Sequence, residues 1–414
     1  MLRQVTFLRA SLSLVPLLAF AACSDEGEGT GGSGGSTSTQ TGGPGSTGSS
    51  STKSTATGAD GGGGEGSGGS PGETVPYVYV GTSDDKIFVM LLDRQTGELT
   101  PVSEIDAGAN PSFLAPDPQH RFLFAVNEGS SEVASFSIAQ NSGELTFINR
   151  VSSEGNGPAH VSVATSGEYA LVANYGSGHV ASIAIADDGS LDDTLVSVHQ
   201  AGQNAHLIKQ DPVSGFVHVP CLGSNYVRSY DLDSATGTLT PLPNGTELDM
   251  APGSGPRHLD YHPTLPVAYV VNEQGDTVVV AERAPTGELT ELQVVPTLPD
   301  GVNGDDNACA DIHVSPDGRF VYASNRGHNS LAIYSIDQAD GQLTPIGHQP
   351  TGGDWPRNFT IDPTGDIILV ANQQSDNIVA FSVDSATGLL TELVTTPTQG
   401  GPAFVGVITQ GLTP

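Results

Sequence analysis

Thr96-Gly97-Glu98-Leu99-Thr100 is the stretch that decides how this chain folds, because it returns six times. It reappears as SGELT at Ser142–Thr146, DGSL at Asp188–Leu191, TGTLT at Thr236–Thr240, TGELT at Thr286–Thr290, DGQLT at Asp340–Thr344 and TGLLT at Thr387–Thr391. The central glycines, 97, 143, 189, 237, 287, 341 and 388, are 46, 46, 48, 50, 54 and 47 residues apart. Seven units of about 48 residues therefore fill residues 76–414. A period of roughly 40–50 residues with four short strands per unit is the signature of propeller blades. The expected fold is all-β: a seven-bladed propeller of four-stranded antiparallel blades.

Every unit reads alike. A short apolar strand follows Pro or a small residue, as at Pro111-Ser-Phe-Leu, and a tight turn such as Asp117-Pro118 or Asp317-Gly318 ends it. A second strand is nearly all apolar, as at Phe122–Val126 or Ile367–Ala371, and a third alternates, as at Val133–Ile138. The repeated glycine turn leads to the outer strand. We letter these strands A to D from the axis outward. No stretch carries a capped 3.6-residue apolar period, so little helix is expected. The domain opens on a B-type strand, Tyr77–Val80, and closes on an A-type strand in Gly401-Pro-Ala-Phe-Val-Gly-Val. The two are expected to share the first blade and so remove the open sheet edges.

Upstream the composition changes. Arg3 and Arg9 precede an apolar run, Ala10–Phe20, that is too short to span a bilayer. Ala21, Ala22 and Cys23 follow, and the segment resembles a bacterial lipoprotein signal in which Cys23 is lipidated, with Ser24 suggesting outer-membrane sorting. Residues 24–75 hold 19 of the 53 glycines, 11 serines and no aromatic residue. Such a chain cannot bury enough surface to offset its entropy and is expected to be a flexible stalk. The organisation is thus signal at 1–23, stalk at 24–75 and propeller at 76–414, exported and held to the membrane by lipid alone, as a monomer.

The formal charge of -32, from 14 Lys plus Arg against 46 Asp plus Glu, excludes a nucleic-acid partner, because phosphate binding rests on basic side chains. It also excludes an anionic membrane surface as a partner of the fold. Against that background the basic residues are informative. In an up-and-down blade the A strand starts, and the B strand ends, at one mouth of the channel. Arg257 and Arg357 fall at A-strand starts and Arg326 at a B-strand end. His160, His206 and His258 fall at A-strand starts with His313 nearby, while Glu128, Glu273, Asn174, Tyr175 and Asn372 fall at B-strand ends. The opposite face carries only turn residues. Buried arginine is costly unless something anionic compensates it. The mouth is therefore the candidate site, although the arginines could instead stitch neighbouring blades through acidic partners.

Four stretches give that mouth a family. Gly255–Pro263 (GPRHLDYHP), running to VVNE at Glu273, is joined by ANYGSG at Ala173–Gly178, SPDGRFVYASNRG at Ser315–Gly327 and PRNFTIDPTG at Pro356–Gly365. Together they resemble the seven-bladed propeller lactonases, which include bacterial 6-phosphogluconolactonases and fungal carboxy-cis,cis-muconate cyclases. The resemblance covers Tyr77 to about Val407. It implies that Arg257, Glu273, His206 (in NAHLIKQDP) and Arg326 are catalytic. His160, His258, Arg357 and Asn174 stand as substrate-binding candidates from their place at the mouth. The chain departs from the family at Cys221-Leu-Gly-Ser-Asn and at Trp355 before Pro356.

Lactone hydrolysis needs a base for water, stabilisation of an oxyanion and a grip on anionic groups. Glu273 or His206 could take the proton. Arg257, with Arg326 or Arg357, could hold the oxyanion, a carboxylate or a phosphate. No G-x-S-x-G elbow is present, and the histidines lie about one per blade without HExxH spacing, so neither metal nor cofactor is expected. Cys221 and Cys309 face the same mouth, either as a disulfide or as two buried thiols. The partner is a small-molecule lactone or another anionic ligand, and the functions left open are a lactone hydrolase, a lactonizing cyclase and a non-catalytic surface propeller.

Overall fold

Valine, leucine, phenylalanine and tyrosine crowd the B strand of each repeat because both of its faces pack on neighbouring blades. The computed structural model describes residues 74–411, and the Cys23 signal and residues 24–73 of the expected stalk lie outside the described residues. Among the described residues seven antiparallel sheets form. Six follow the chain from A to D. The first is closed by the C-terminal strand Pro402–Gly411, which pairs with Thr74–Thr82 in the register Tyr77↔Ile408 and Val80↔Val405. Strand begins at Thr74, two residues before the expected boundary.

Seven apolar clusters lie one in each cleft between adjacent blades. B strands such as Phe122–Asn127 and Ile367–Asn372 are buried at every position, while D strands such as Leu99–Asp106 are exposed along most of their length. The repeated glycine explains itself here. Gly143 has φ 68°, and a Cβ on it would sit 2.5 Å from the Tyr77 ring of the preceding blade. Gly388 meets Phe320 at 2.4 Å in the same way. The glycine carbonyl is then taken by a B-strand side chain of that blade, Tyr79 Oη to Gly143 at 2.8 Å and Tyr322 Oη to Gly388 at 2.9 Å. The phrase that repeats in sequence is thus the turn by which each blade docks on the one before it.

Blade 4 departs from the pattern. Its A strand is only Lys209–Gln210, preceded by a single bridge, Ala205 to Cys221. The reason is Pro220 in the facing B strand, which has no N–H to give and so interrupts the ladder. His206, expected at an A-strand start, therefore sits in irregular backbone, with its N–H on the Pro220 carbonyl at 3.0 Å. The D strand of this blade is split into Leu239–Pro241 and Leu248–Asp249. The one helical element among the described residues is a 3-10 turn at Leu222–Ser224.

Candidate functional site

Antiparallel pairing puts A-strand starts beside B-strand ends, and a bulge does the rest. In blade 5 Pro256 pairs with Asn272 but His258 pairs with Val271, so Arg257 is the extra residue. The same shift falls at Ser112, Ala159 and Arg357 in blades 2, 3 and 7. A bulge re-aims side chains that strict alternation would send apart. Consecutive residues such as Arg257 and His258 consequently both join the axial cluster.

Arg257 is buried, and its Nε lies 2.9 Å from Glu273 Oε2. Arg326 Nη2 from blade 6 lies 2.9 Å from the same oxygen. One carboxylate oxygen thus sits between two guanidinium groups. The Arg257 contact is an ion pair whose N–H is not aimed at the oxygen, since Nε makes no hydrogen bond. Arg257 Nη1 donates to the Ala310 carbonyl, and Arg326 donates to the carbonyls of Ala308 and Cys309, both at 3.1 Å. Burial, with Arg326 next, pulls the Arg257 pKa down to about 9, which still leaves it cationic at neutral pH. Arg357 reaches across to Glu128 at 3.7 Å. All three mouth arginines therefore have acidic partners, and two of the three pairs join different blades.

Arg257 also adjoins a histidine cluster. The His258 ring is 5.1 Å from that of His206 and 5.8 Å from that of His160. Burial, then Arg257, depresses His258 to about 4 and holds His206 well below its usual range, and burial, then His258, does the same to His160. All three are neutral at pH 7. His258 Nδ1 faces Asp311 Oδ1 at 2.7 Å, and its Nε2 lies 3.4 Å from Arg257 Nη1. His206 Nδ1 is buried without a hydrogen-bond partner. A small cavity lined by Phe113, His206, Arg257, His258, Arg357 and Asn358 encloses about 10 Å³, space for one water. Beside Glu273 an open polar cleft of about 480 Å³ is lined also by Gln274, Asp276, Asp305 and Asn307.

Asp311 is the functional residue that the sequence reading missed. It is buried, yet its carboxylate is met by His258, His313, Asn358 and the backbone N–H groups of Ile312 and Phe359. Burial opposes its charge, but His313 and the imidazole hydrogen bonds outweigh it and hold the carboxyl well below the usual range. For His313 burial is again opposed, here by Asp311, and its pKa is raised. Only the residue types of ACADIHV, Asp two places before His, hinted at this. The bulge at Ala310 and Asp311, which turns Asp311 toward the neighbouring blades, leaves no mark in the letters.

Asn174 is not brought to the cavity. Its Nδ2 donates to the Ser153 carbonyl at 2.9 Å and its Oδ1 accepts from Ser153 Oγ at 2.7 Å, fastening the D–A loop of its own blade. Asn127, Asn325 and Asn372 make the same carbonyl contact in theirs, to Ala107, Thr297 and Thr351. Asn174 therefore shares a contact that recurs from blade to blade. Cys221 and Cys309, the cysteines among the described residues, are free, buried thiols, pushed up to about 12 mainly by burial. No group of three or more His, Cys, Asp or Glu among the described residues is arranged to hold a metal.

Known proteins agree with this architecture. The family profile described as "Lactonase, 7-bladed beta-propeller" matches residues 77–407. A 6-phosphogluconolactonase of Bacillus subtilis is 35% identical over 299 residues, 69% of this chain and 84% of the relative. One from Formosa agariphila is 33% identical over 306 residues, 69% of this chain and 86% of the relative. Among solved structures, a periplasmic gluconolactonase of Pseudomonas aeruginosa superposes with a TM-score of 0.75 at 30% identity, covering 82% of this chain and all of that one.

Proposed function

The chain belongs to the seven-bladed β-propeller lactonase family, and from that membership we propose that it hydrolyses a small lactone of the aldonic-acid type at the channel mouth. One observation carries the proposal: Glu273 holds two guanidinium groups on one carboxylate oxygen, and one of them, Arg257, lines a cavity with His206, an imidazole with a free buried ring nitrogen.

Water in the one-water cavity attacks the lactone carbonyl carbon and passes its proton to neutral His206. The carbonyl oxygen becomes an oxyanion against Arg257 and Arg326, fixed donors that need no reorganisation as charge develops. Collapse breaks the bond from the acyl carbon to the ring oxygen, which takes the proton back from His206, and the product is the open hydroxy acid. Glu273 positions the two arginines. Asp311 fixes the His258 tautomer, so that Nε2 faces Arg257. His160 and Arg357 complete the wall around the ligand. Such donors typically contribute ~10²–10³ in rate, and a base as weakened by burial as His206 contributes toward the lower end of the usual ~10²–10⁴.

Acid release in a pH-stat, with δ-gluconolactone and its 6-phospho ester in one panel of lactones, tests this reading. Proton release above the spontaneous rate is expected, and loss of it in His206→Ala. A wild type that hydrolyses nothing in the panel overturns it and favours a ligand-binding propeller.

We propose also that the protein is exported and held as a monomer by lipid on Cys23, with residues 24–73 as tether. The support is the signal-like 1–23 segment and the glycine- and serine-rich composition behind it. Cys23→Ser should release the protein from the membrane fraction, and unchanged fractionation and processing would refute the anchor.

A further inference from the structure

The residue before the A strand, or in blade 4 before the Ala205 bridge, adopts a left-handed backbone in blade after blade. Asn110, Gly157, Asn204, Gly255 and Gly401 hold it with φ of 57°, 57°, 55°, 62° and 60°. The carbonyl at this position accepts the N–H just past the B strand, as from Glu128 to Asn110 at 3.0 Å and from Glu273 to Gly255 at 2.7 Å. Glycine and asparagine are the residues that tolerate such a φ. In blade 7 the position is Trp355, φ 66°, with its carbonyl on the Gln373 N–H at 3.0 Å and its own N–H on Asn329 Oδ1 at 3.0 Å. It is the only tryptophan in the chain. The fold asks here for a residue with little or no side chain and is given the bulkiest one, against its backbone preference. Strain of that kind, at the rim of a site, points to function rather than folding.

The indole is half-buried, and the Arg326 guanidinium lies 5.2 Å from its ring centroid, within cation–π range. Arg326 is the group that meets Glu273. One aromatic plane is thus clamped beside the proposed oxyanion donors, two residues before Arg357 of the cavity wall. We propose that Trp355 is a specificity-determining platform, on which the flat C–H face of a pyranose-type lactone packs while its hydroxyls point to the polar rim. A six-membered polyol ring has such an apolar face, and tryptophan supplies a large, rigid surface to match it at low entropic cost. The inference rests on the lactonase reading for its ligand, while its emission readout needs no turnover.

Because Trp355 is the sole tryptophan, its emission reports directly on the platform. Titration of the full-length protein with D-gluconate, a stable open-chain probe, and with freshly dissolved δ-gluconolactone should give a saturable change in emission for the lactone, tighter than for gluconate. Trp355→Ala should raise KM for δ-gluconolactone about tenfold, the upper end of what one aromatic face contributes. Trp355→Phe, which keeps a flat aromatic face, should keep most of the affinity. Trp355→Gly, matching blades 3 and 5, should melt no lower than wild type while showing the same KM defect. A saturable emission change without turnover would keep the platform and sink the lactonase reading. Turnover with no emission change and an unaltered KM in Trp355→Ala would overturn the platform alone. A Trp355→Gly that melts lower and keeps its KM would show that the indole only shields the Arg326–Glu273 pair, and would also overturn it.

Discussion

Asp311 in blade 6 accepts the Nδ1 side of His258 in blade 5 at 2.7 Å, with both side chains almost wholly buried. That contact favours a charged imidazole, but burial, then Arg257, outweighs it, so His258 joins His160 and His206 as rings held neutral in the fold. In the unfolded chain each takes up a proton near pH 6.5, whereas folded His258 does so only at about 4, and His160 and His206 also sit well below the ordinary value. The unfolded state therefore binds more protons in this window, and stability falls as pH drops from 6.5 toward 4. Each group contributes up to ~1.4 kcal/mol per pH unit. His313 works in the opposite sense: its raised pKa adds stability that is full below 6.5 and lost as pH rises through the folded value, offsetting part of the slope. Unfolding free energies from urea melts at pH 7.5, 6 and 5 should fall by several kcal/mol in all, and His206→Gln should flatten the dependence. A pH-independent midpoint would mean that the three rings are not held neutral.

The repeat turn gives a sharper test of the fold. Gly143→Ala must place a methyl 2.5 Å from the Tyr77 ring at φ 68°. Left-handed strain and displacement of the ring together should cost about 2–4 kcal/mol. Gly245 also has a positive φ, 89°, but nothing lies within 4 Å of its would-be Cβ, so Gly245→Ala should cost only about 1 kcal/mol. Equal losses in thermal melts of the two variants would show that the glycine is kept for its backbone alone.

The repeat and its seven glycines made the architecture legible, because each glycine marks a steric contact that recurs between blades. The B-strand runs were legible for the same reason, since burial on both faces leaves no polar alternation. Arg257 and Glu273 could be placed at one mouth because strand pairing alone brings 256 opposite 272. Their sharing of an oxygen with Arg326 could not, since it depends on how blade 6 leans on blade 5. Asp311 and Asn174 mark the same limit from opposite sides. A bulge carries the first into the cluster, and a loop carbonyl holds the second away from it.

The ring closure has its own test. The C-terminal strand pairs with Thr74–Thr82 along its whole length and buries Ala403, Val405 and Ile408. Deleting Gly401–Pro414 strips the A strand of blade 1 and bares an axial edge. The variant should lose several kcal/mol, on the order of a substantial fraction of a typical domain's stability, and should aggregate on heating. An unchanged melting temperature would contradict the shared blade.

Arg257 and Glu273 separate chemistry from scaffolding. Arg257→Ala removes an oxyanion donor but leaves Glu273 paired with Arg326, so the charge at the mouth stays compensated. Its kcat/KM should fall ~10²–10³ with a modest loss of stability. Glu273→Ala takes the shared carboxylate from two buried guanidinium groups. Breaking a buried pair costs about 3–5 kcal/mol, and the 21% exposure of the Glu273 side chain reduces that to roughly 1–3 kcal/mol. Glu273→Gln keeps the shape and an acceptor oxygen without the charge. It should fold better than Glu273→Ala and yet be similarly slow, because the arginines lose the partner that orients them. Lys86→Ala, which removes only an exposed pair to Glu104 at 3.3 Å, controls for loss of positive charge and should be silent in both respects. The measurement is steady-state kinetics on the folded fraction alongside thermal melts. If Arg257→Ala and Glu273→Gln lose stability while their folded fractions keep wild-type specific activity, the cluster is a brace between blades 5 and 6 and the reaction lies elsewhere.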